Sequence, residues 1–480
     1  MKNTKWTALI PGCLALAMAS GTWAQDWPQW RGPNRDAKAP DFKAPRTWPK
    51  ELKQQWKVTV GEGVATPALV GDKLFVFSRQ DGNEILRCLN AADGKELWQD
   101  KYESLGASGP AQGFSGPRSS PAVANGKVVT LGVRGVISCL ETATGKKLWR
   151  KDDFKAWPGF HPSSSPIIVD GVCIAQLGGR TNGALVAYDL ATGDEKWKWS
   201  GGSPSYASPV LLTVGGAKLV VAQTDAKLVA VNAADGKLAW EGPSAPRGEG
   251  AGGAGGGGGG GGRGGGGRDY KASTPIVDGQ TIISAGREVK AVKIEKQGDA
   301  FVAKDLWTAS EKSVQFNSPV LKSGLLYGLT GGNELFCLNT RDGKLAWSAS
   351  LTKVGEGQPG AGSSGGQGGQ SGPRPEAGAA GQSGAAGGAG AQGGPAGSRG
   401  PGGRGGGRGG GGYGSIVDAG SVMLALTPSS ELIAFEPGST VYKELARIKV
   451  SETPTHAYPV VSGNRLFIKD RDSLTLWTVE

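Results

Sequence analysis

Apolar residues along this chain come in short runs of four to seven, rich in Val, Ile and Leu, and each run stops at a Gly or at a polar pair ending in Gly. Runs of this length between turn residues predict β-strands joined by hairpins. In "SSPAVANGKVVTLGVRGVISCLETATGKKLW", Ser119 to Trp149, the order is Ser-Pro, an apolar pair, a Gly turn, two longer apolar runs, a Thr-Gly turn and a Trp. The second half of that unit recurs as "CLNAADGKELW" (Cys88 to Trp98), "AYDLATGDEKW" (Ala187 to Trp197), "AVNAADGKLAW" (Ala230 to Trp240) and "CLNTRDGKLAW" (Cys337 to Trp347). Four strands in a repeating unit of about 40 to 50 residues predict one blade of a β-propeller.

The first strand of each unit follows a Pro, at Pro67, Pro121, Pro166, Pro209, Pro275, Pro319 and Pro459, a place where a strand tolerates it. A degenerate unit without the Pro starts at Tyr413, which brings the count to eight. The last unit stops one strand short at "SLTLWTVE", and the missing strand is upstream in "LKQQWKV", Leu52 to Val58, with Trp56. The predicted fold is all-β: an eight-bladed propeller of four-stranded antiparallel blades, closed by an N-terminal strand so that no blade is left with an open edge. The last strands carry Trp98, Trp149, Trp197, Trp240, Trp307 and Trp347, with Trp56 in the closing strand and "VYKEL" (Val441 to Leu445) as a weakened equivalent. A Trp there buries about 150 to 250 Å2 against the next blade and needs one acceptor for its N–H, so these residues are expected to be structural docking groups.

Composition changes the picture in two places. Most of the 84 glycines sit in two blocks, about 244–268 and 351–412, whose Gly, Ala, Ser and Gln cannot bury enough apolar surface to order themselves. Their Arg-Gly-Gly runs resemble RNA-binding segments, although nucleic acid is an improbable partner for an exported chain, and spacers or arms touching anionic surfaces are expected instead. Residues 1–24 read as a signal peptide, with Lys2 and Lys5 ahead of an apolar stretch and a small-residue cleavage site at Ala24. Cys13 in "IPGC" fits lipid attachment poorly, and no segment is long and apolar enough for a membrane span. Residues 25–51 form an N-terminal extension and 52–480 the propeller. The implied location is outside the cytoplasm, periplasmic or extracellular, with possible association to the envelope.

Cys88, Cys139 and Cys337 occupy the motif position that Ala187, Ala230, Ala291 and Ala434 hold in other units. Equivalent positions in different blades do not face each other, so these thiols, with Cys173, are expected to be buried and unpaired. The net charge of +11 is spread along the chain and names no partner.

The pattern Ala/Cys-x-Asp/Asn-x-x-Thr/Asp-Gly-x-x-x-Trp resembles the tryptophan-docking repeat of the pyrroloquinoline-quinone-like (PQQ-like) β-propeller superfamily. That superfamily holds the quinoprotein alcohol dehydrogenases and the outer-membrane barrel-assembly lipoprotein. The opening "DWPQWRGPNRD", Asp26 to Asp36, is also similar to the N-terminus of many exported PQQ-like repeat proteins. The resemblance implies two functions: a non-catalytic scaffold, or a dehydrogenase using PQQ with Ca2+. The enzyme would need a catalytic Asp, acidic and amide calcium ligands, and in many members a pair of adjacent cysteines. No Cys-Cys pair is present, and Asp93, Asp189, Asp235 and Asp342 are repeat-turn positions. No catalytic residue, metal site or cofactor is therefore expected.

Two histidines exclude a multi-histidine metal site, "GSSGG" at Gly362 lies in a glycine block, and those blocks lack the Lys-Ser/Thr of a phosphate loop. The surviving candidate is the set of loops entering the blades, which share one rim near the axis. They carry Arg118, His161, Tyr206, Tyr270, Lys271, Asn317, His456 and Tyr458. A polar and aromatic ring at an axial mouth suits a ligand or partner, although loops are polar in any repeat fold. The expectation is a monomeric exported scaffold binding an envelope protein or polysaccharide. The runner-up readings are a PQQ-dependent oxidoreductase and a polyanion binder.

Overall fold

The computed structural model describes residues 25–243, 271–352 and 413–480. They form eight four-stranded antiparallel sheets arranged as propeller blades. Blade 1 runs outward from the axis as Ala68–Val70, Lys73–Gln80, Asn83–Asn90 and Glu96–Glu103, each strand paired with the next. Blades 2 to 7 repeat this order from inner strands beginning at Ala122, Ile167, Val210, Ile276, Val320 and Ser415. In blade 8 the inner strands Val460–Ser462, Arg465–Lys469 and Ser473–Thr478 are completed by Lys53–Thr59, so the first strand of the chain closes the ring. Among the described residues the only helical piece is the turn Gly109–Ala111, and no helix is long and apolar enough to cross a membrane.

Each unit of the motif has a local physical reason. Cys88 pairs with Trp98 across the two outer strands, and the register then slips so that Leu89 faces Glu96, a bulge that sets the Trp toward the neighbouring blade. The same slip follows Cys139, Ala187, Ala230, Ala291 and Cys337. The indole N–H groups of Trp56, Trp98, Trp149, Trp197, Trp307 and Trp347 donate to main-chain carbonyls of the next blade, at Ala91, Thr142, Leu190, Ala233, Thr340 and Gly438. Trp240 packs into the cluster that holds Ile282 and Ile294 of the following blade. The turn glycine receives this ring: at Gly145, with φ +73°, a Cβ would sit 2.6 Å from the Trp98 ring of the preceding blade. The glycine therefore supplies both the left-handed turn and the space for its neighbour's Trp.

In blade 7 the outer strand is Glu444–Lys449, not Val441 to Leu445, and Ala446 stands opposite Ala434 where other blades have the Trp. Two extra residues before the strand shift it, and they leave Val441 exposed. The four described cysteines are buried and unbridged, and burial pushes the Cys88 and Cys139 thiols up to about 12. The glycine block assigned above to about 244–268, residues 353–412 of the second block and the expected signal peptide 1–24 lie outside the described residues, whereas Leu351 is buried in the core.

The hydroxyl before each Pro links the blades around the axis. The backbone N–H of Tyr458 donates to Thr66 Oγ1, Thr66 N–H to Ser120 Oγ, Ser120 to Ser165, Ser165 to Ser208, Ser208 to Thr274 and Thr274 to Ser318, at 2.8 to 3.3 Å. Blade 7 places Ser415 at this position, since Val417 stands in the register that Ala68 has in blade 1, but the Ser415 hydroxyl is buried and takes no part in the chain of bonds. Tyr458 of blade 8 reaches past it, its hydroxyl donating to Ser318 O of blade 6 at 3.3 Å.

The segment Trp27 to Ala39 fills the axial channel as a plug. It bonds to inner strands on all sides: Trp27 N–H to Leu69 O, Val123 N–H to Pro28 O, Arg35 to Ser165 O and Pro166 O, Trp30 to Thr274, Arg31 to Pro319 O, and Ala39 N–H to Asp418 O. Repeat reasoning places no element on the axis, because the plug belongs to no repeat.

Candidate functional site

Above the hydroxyl ring the blade-entry loops surround a cavity of about 250 Å3 whose floor is the plug's Trp30. Trp30 is held by a 2.9 Å bond from its Nε1 to Thr274 Oγ1 and by edge-to-face contact with Tyr458, ring centroids 4.9 Å apart. Phe114, Phe160, Tyr206, Phe316 and Tyr413 make the walls. Phe316 stacks on Tyr413 at 4.3 Å, and Phe160 meets Tyr206 edge-on at 5.9 Å, with the Tyr206 hydroxyl accepting from Phe160 N–H. Phe114 and Tyr413 are each 41 % exposed, so the aromatic surface continues out onto the rim.

Besides the tyrosines, two titratable side chains face this cavity, Arg118 and His456. Arg118 donates to the carbonyls of Ala111, Phe114 and Gly116, which ties the Phe114 loop to the wall. Burial lowers its pKa to about 10, so it keeps its charge at neutral pH, and it has no ion-pair partner among the described residues. His456 lies edge-on to Phe114 at 4.9 Å and to Tyr413 at 5.4 Å; burial brings it down to about 4, and its Nδ1 finds no partner. It is a neutral imidazole at pH 7.

Of the residues singled out from sequence, the structure brings Arg118, Tyr206, His456 and Tyr458 together around the cavity. His161 is elsewhere: buried in the blade 2–3 seam, it donates Nδ1–H to Val133 O at 2.8 Å and accepts Ser108 N–H on Nε2 at 3.0 Å, with Trp157 stacked on its ring. Asn317 is buried with its amide on Leu329 O at 2.7 Å, and Lys271 uses its carbonyl to accept Ala207 N–H. Neither lines the cavity. Tyr270 lies outside the described residues. Sequence reasoning missed Trp30, Phe114, Phe160, Phe316 and Tyr413. The three phenylalanines stand inside the blade-entry loops but at differing distances from the Pro, so no period marks them.

Among its described lining residues the cavity has no carboxylate. Glu62 and Asp470 line a small crevice behind His456, where Ser115 donates to Glu62 and Ser451 and the Ser473 N–H donate to Asp470. No group of three or more His, Cys, Asp or Glu that could hold a metal ion occurs among the described residues.

A family model described as "Outer membrane protein assembly factor BamB" matches residues 81–348, more than half of the chain. The chain belongs to this family. Among curated proteins it is 26% identical over 209 residues to outer membrane protein assembly factor BamB of Burkholderia pseudomallei, covering 41% of this chain and 48% of that protein. It is also 26% identical over 139 residues to quinohemoprotein alcohol dehydrogenase of Comamonas testosteroni, covering 28% and 19%. The matches to these relatives span less than half of their length. Solved structures with the same fold include BamB from Moraxella catarrhalis, at TM-score 0.56 and 13% identity over 89% of this chain and 99% of that one. The Comamonas testosteroni dehydrogenase aligns at TM-score 0.59 and 14% identity, over 95% and 80%. The PQQ-like propeller is thus shared by both kinds of relative.

Proposed function

We propose that this protein is a non-catalytic binding or assembly scaffold of the cell envelope, exported to the periplasm, which captures a partner at the aromatic mouth of its propeller. The carrying observation is that mouth: an aromatic cavity floored by the plug, with a fixed positive charge and a neutral His456, and no carboxylate among its described lining residues. A dehydrogenase reaction needs a base near the reacting carbon, and a calcium-bound quinone needs oxygen donors for the ion. The described lining residues do not fit those demands. Aromatic surface beside a single cation suits recognition, since large rings bury area at low entropic cost. The family description, which names outer membrane protein assembly, supports the same reading.

A photo-crosslinking residue at Phe114 tests it in living cells. It should capture envelope protein, and Tyr206→Ala with Tyr413→Ala should cut the yield by about tenfold or more, as loss of hot-spot rings does, with an unchanged melting temperature. Dye-linked alcohol oxidation by purified protein given PQQ and Ca2+, with no crosslink from Phe114, would overturn the proposal in favour of the oxidoreductase.

A further inference from the structure

The plug brings two arginines into the axial channel, and neither makes a direct ion pair among the described residues. Arg31 is fully buried, and Arg35 is 3% exposed. Arg31 donates one bond, Nη2 to Pro319 O at 2.6 Å, while its Nε and Nη1 have no partner. Arg35 is better satisfied, with Nη1 on Gln29 Oε1 and Pro166 O and Nη2 on Ser165 O, and only its Nε left over. The carboxylate closest in sequence, Asp36, lies beside Lys38 at 3.9 Å and also feels the charge of Arg31, so one carboxylate faces the cations of Arg31, Arg35 and Lys38, and its Oδ1 is unpartnered.

The unused donors of Arg31 fall at a definite place in the ring. Its guanidinium bonds blade 6 through Pro319 and sits 5.9 Å from the Tyr458 ring of blade 8. Blade 7, between them, is the one at which the chain of hydroxyl bonds breaks, with Ser415 at the ring position. The first residue of that blade's inner strand, Ser415, has a buried hydroxyl with no partner. Unpartnered N–H donors and an unpartnered hydroxyl thus occupy one sector of the channel.

A water molecule there would satisfy N–H groups and leave the excess positive charge of the segment in place. An anion does both, and a buried guanidinium that lacks a direct ion pair is unfavourable. The plug fills the channel, so a monatomic anion suits the space better than phosphate or sulfate. We propose that the axial channel holds a halide ion, bound by Arg31 Nε and Nη1 with the Ser415 hydroxyl as a further donor. The ion locks the plug in place and so holds Trp30 as the floor of the mouth.

Crystals of the full chain soaked in sodium bromide should show an anomalous peak within hydrogen-bonding distance of Arg31. The thermal midpoint should rise by several degrees between sodium gluconate and sodium bromide at equal ionic strength. Ser415→Ala, which keeps the charge and the fold, should shrink that rise, and Arg31→Met should abolish it. No peak at Arg31, or a peak with equal midpoints in the two salts, which would mark an adventitious ion only, overturns the proposal.

Discussion

At the residue scale the docking Trp is the clearest case of one side chain serving two blades. Trp98 packs on Phe75 of its own sheet, ring centroids 5.9 Å apart, donates to Thr142 O of the next, and lies over Gly145. Trp98→Ala should cost roughly 3 to 5 kcal/mol in urea unfolding, as deletions of large buried aromatic side chains do. Gly145→Ala should also destabilise, through a strained positive φ and a Cβ driven into the ring, whereas Gly126→Ala, at a turn with open space, carries only the backbone penalty. His456 gives a pH signature. Its folded pKa of about 4 lies below the ordinary 6.5, so between those values the unfolded chain binds a proton that the folded chain does not. Stability should therefore fall as pH drops from 6.5 through 4, by on the order of 3 kcal/mol, and stay level above 6.5 as far as this group is concerned. His456→Asn should remove that part of the pH dependence, read from urea midpoints at pH 7 and pH 4.5.

At the scale of elements, the strands were legible because short apolar runs bounded by glycines are a local signal, and the closing strand because a blade one strand short demands a partner. The outer strand of blade 7 was misplaced by the same logic: with Ala446 in place of Trp, nothing in the sequence marked where the extra residues fell. The mouth was half legible. Arg118, Tyr206, His456 and Tyr458 stand in loops that the repeat itself locates, whereas His161 occupies a comparable place and turns into a seam to satisfy Val133 and Ser108. Repeat position fixes where a loop starts and does not fix which way its side chains turn. The plug was not legible as an axial element, because its partners are carbonyls and strand heads scattered over the whole chain. Deleting residues 25–39 should leave the strand content intact by circular dichroism. It should also lower the unfolding free energy by several kcal/mol, since Trp27, Arg31 and Arg35 lose buried contacts with several blades at once.

At the scale of the whole molecule, the ring depends on Lys53–Thr59 bonding to the last strand, from Lys53 opposite Thr478 to Thr59 opposite Ser473. Removing those residues should expose the edge of Ser473–Thr478 and add higher-order species, absent from the intact chain, on size-exclusion chromatography, since an unpaired strand edge recruits another chain. The antiparallel order also gives the two faces different duties. Every inner strand starts at the mouth and runs away from it. Asp26 accepts from Gly71 in the far turn of blade 1, and Val479 donates to Asn464 in the far turn of blade 8. Both ends of the described propeller therefore leave from the side opposite the aromatic cavity. A protein fixed to a sensor chip, or fused to a reporter, through either of those ends would still present its mouth to solution.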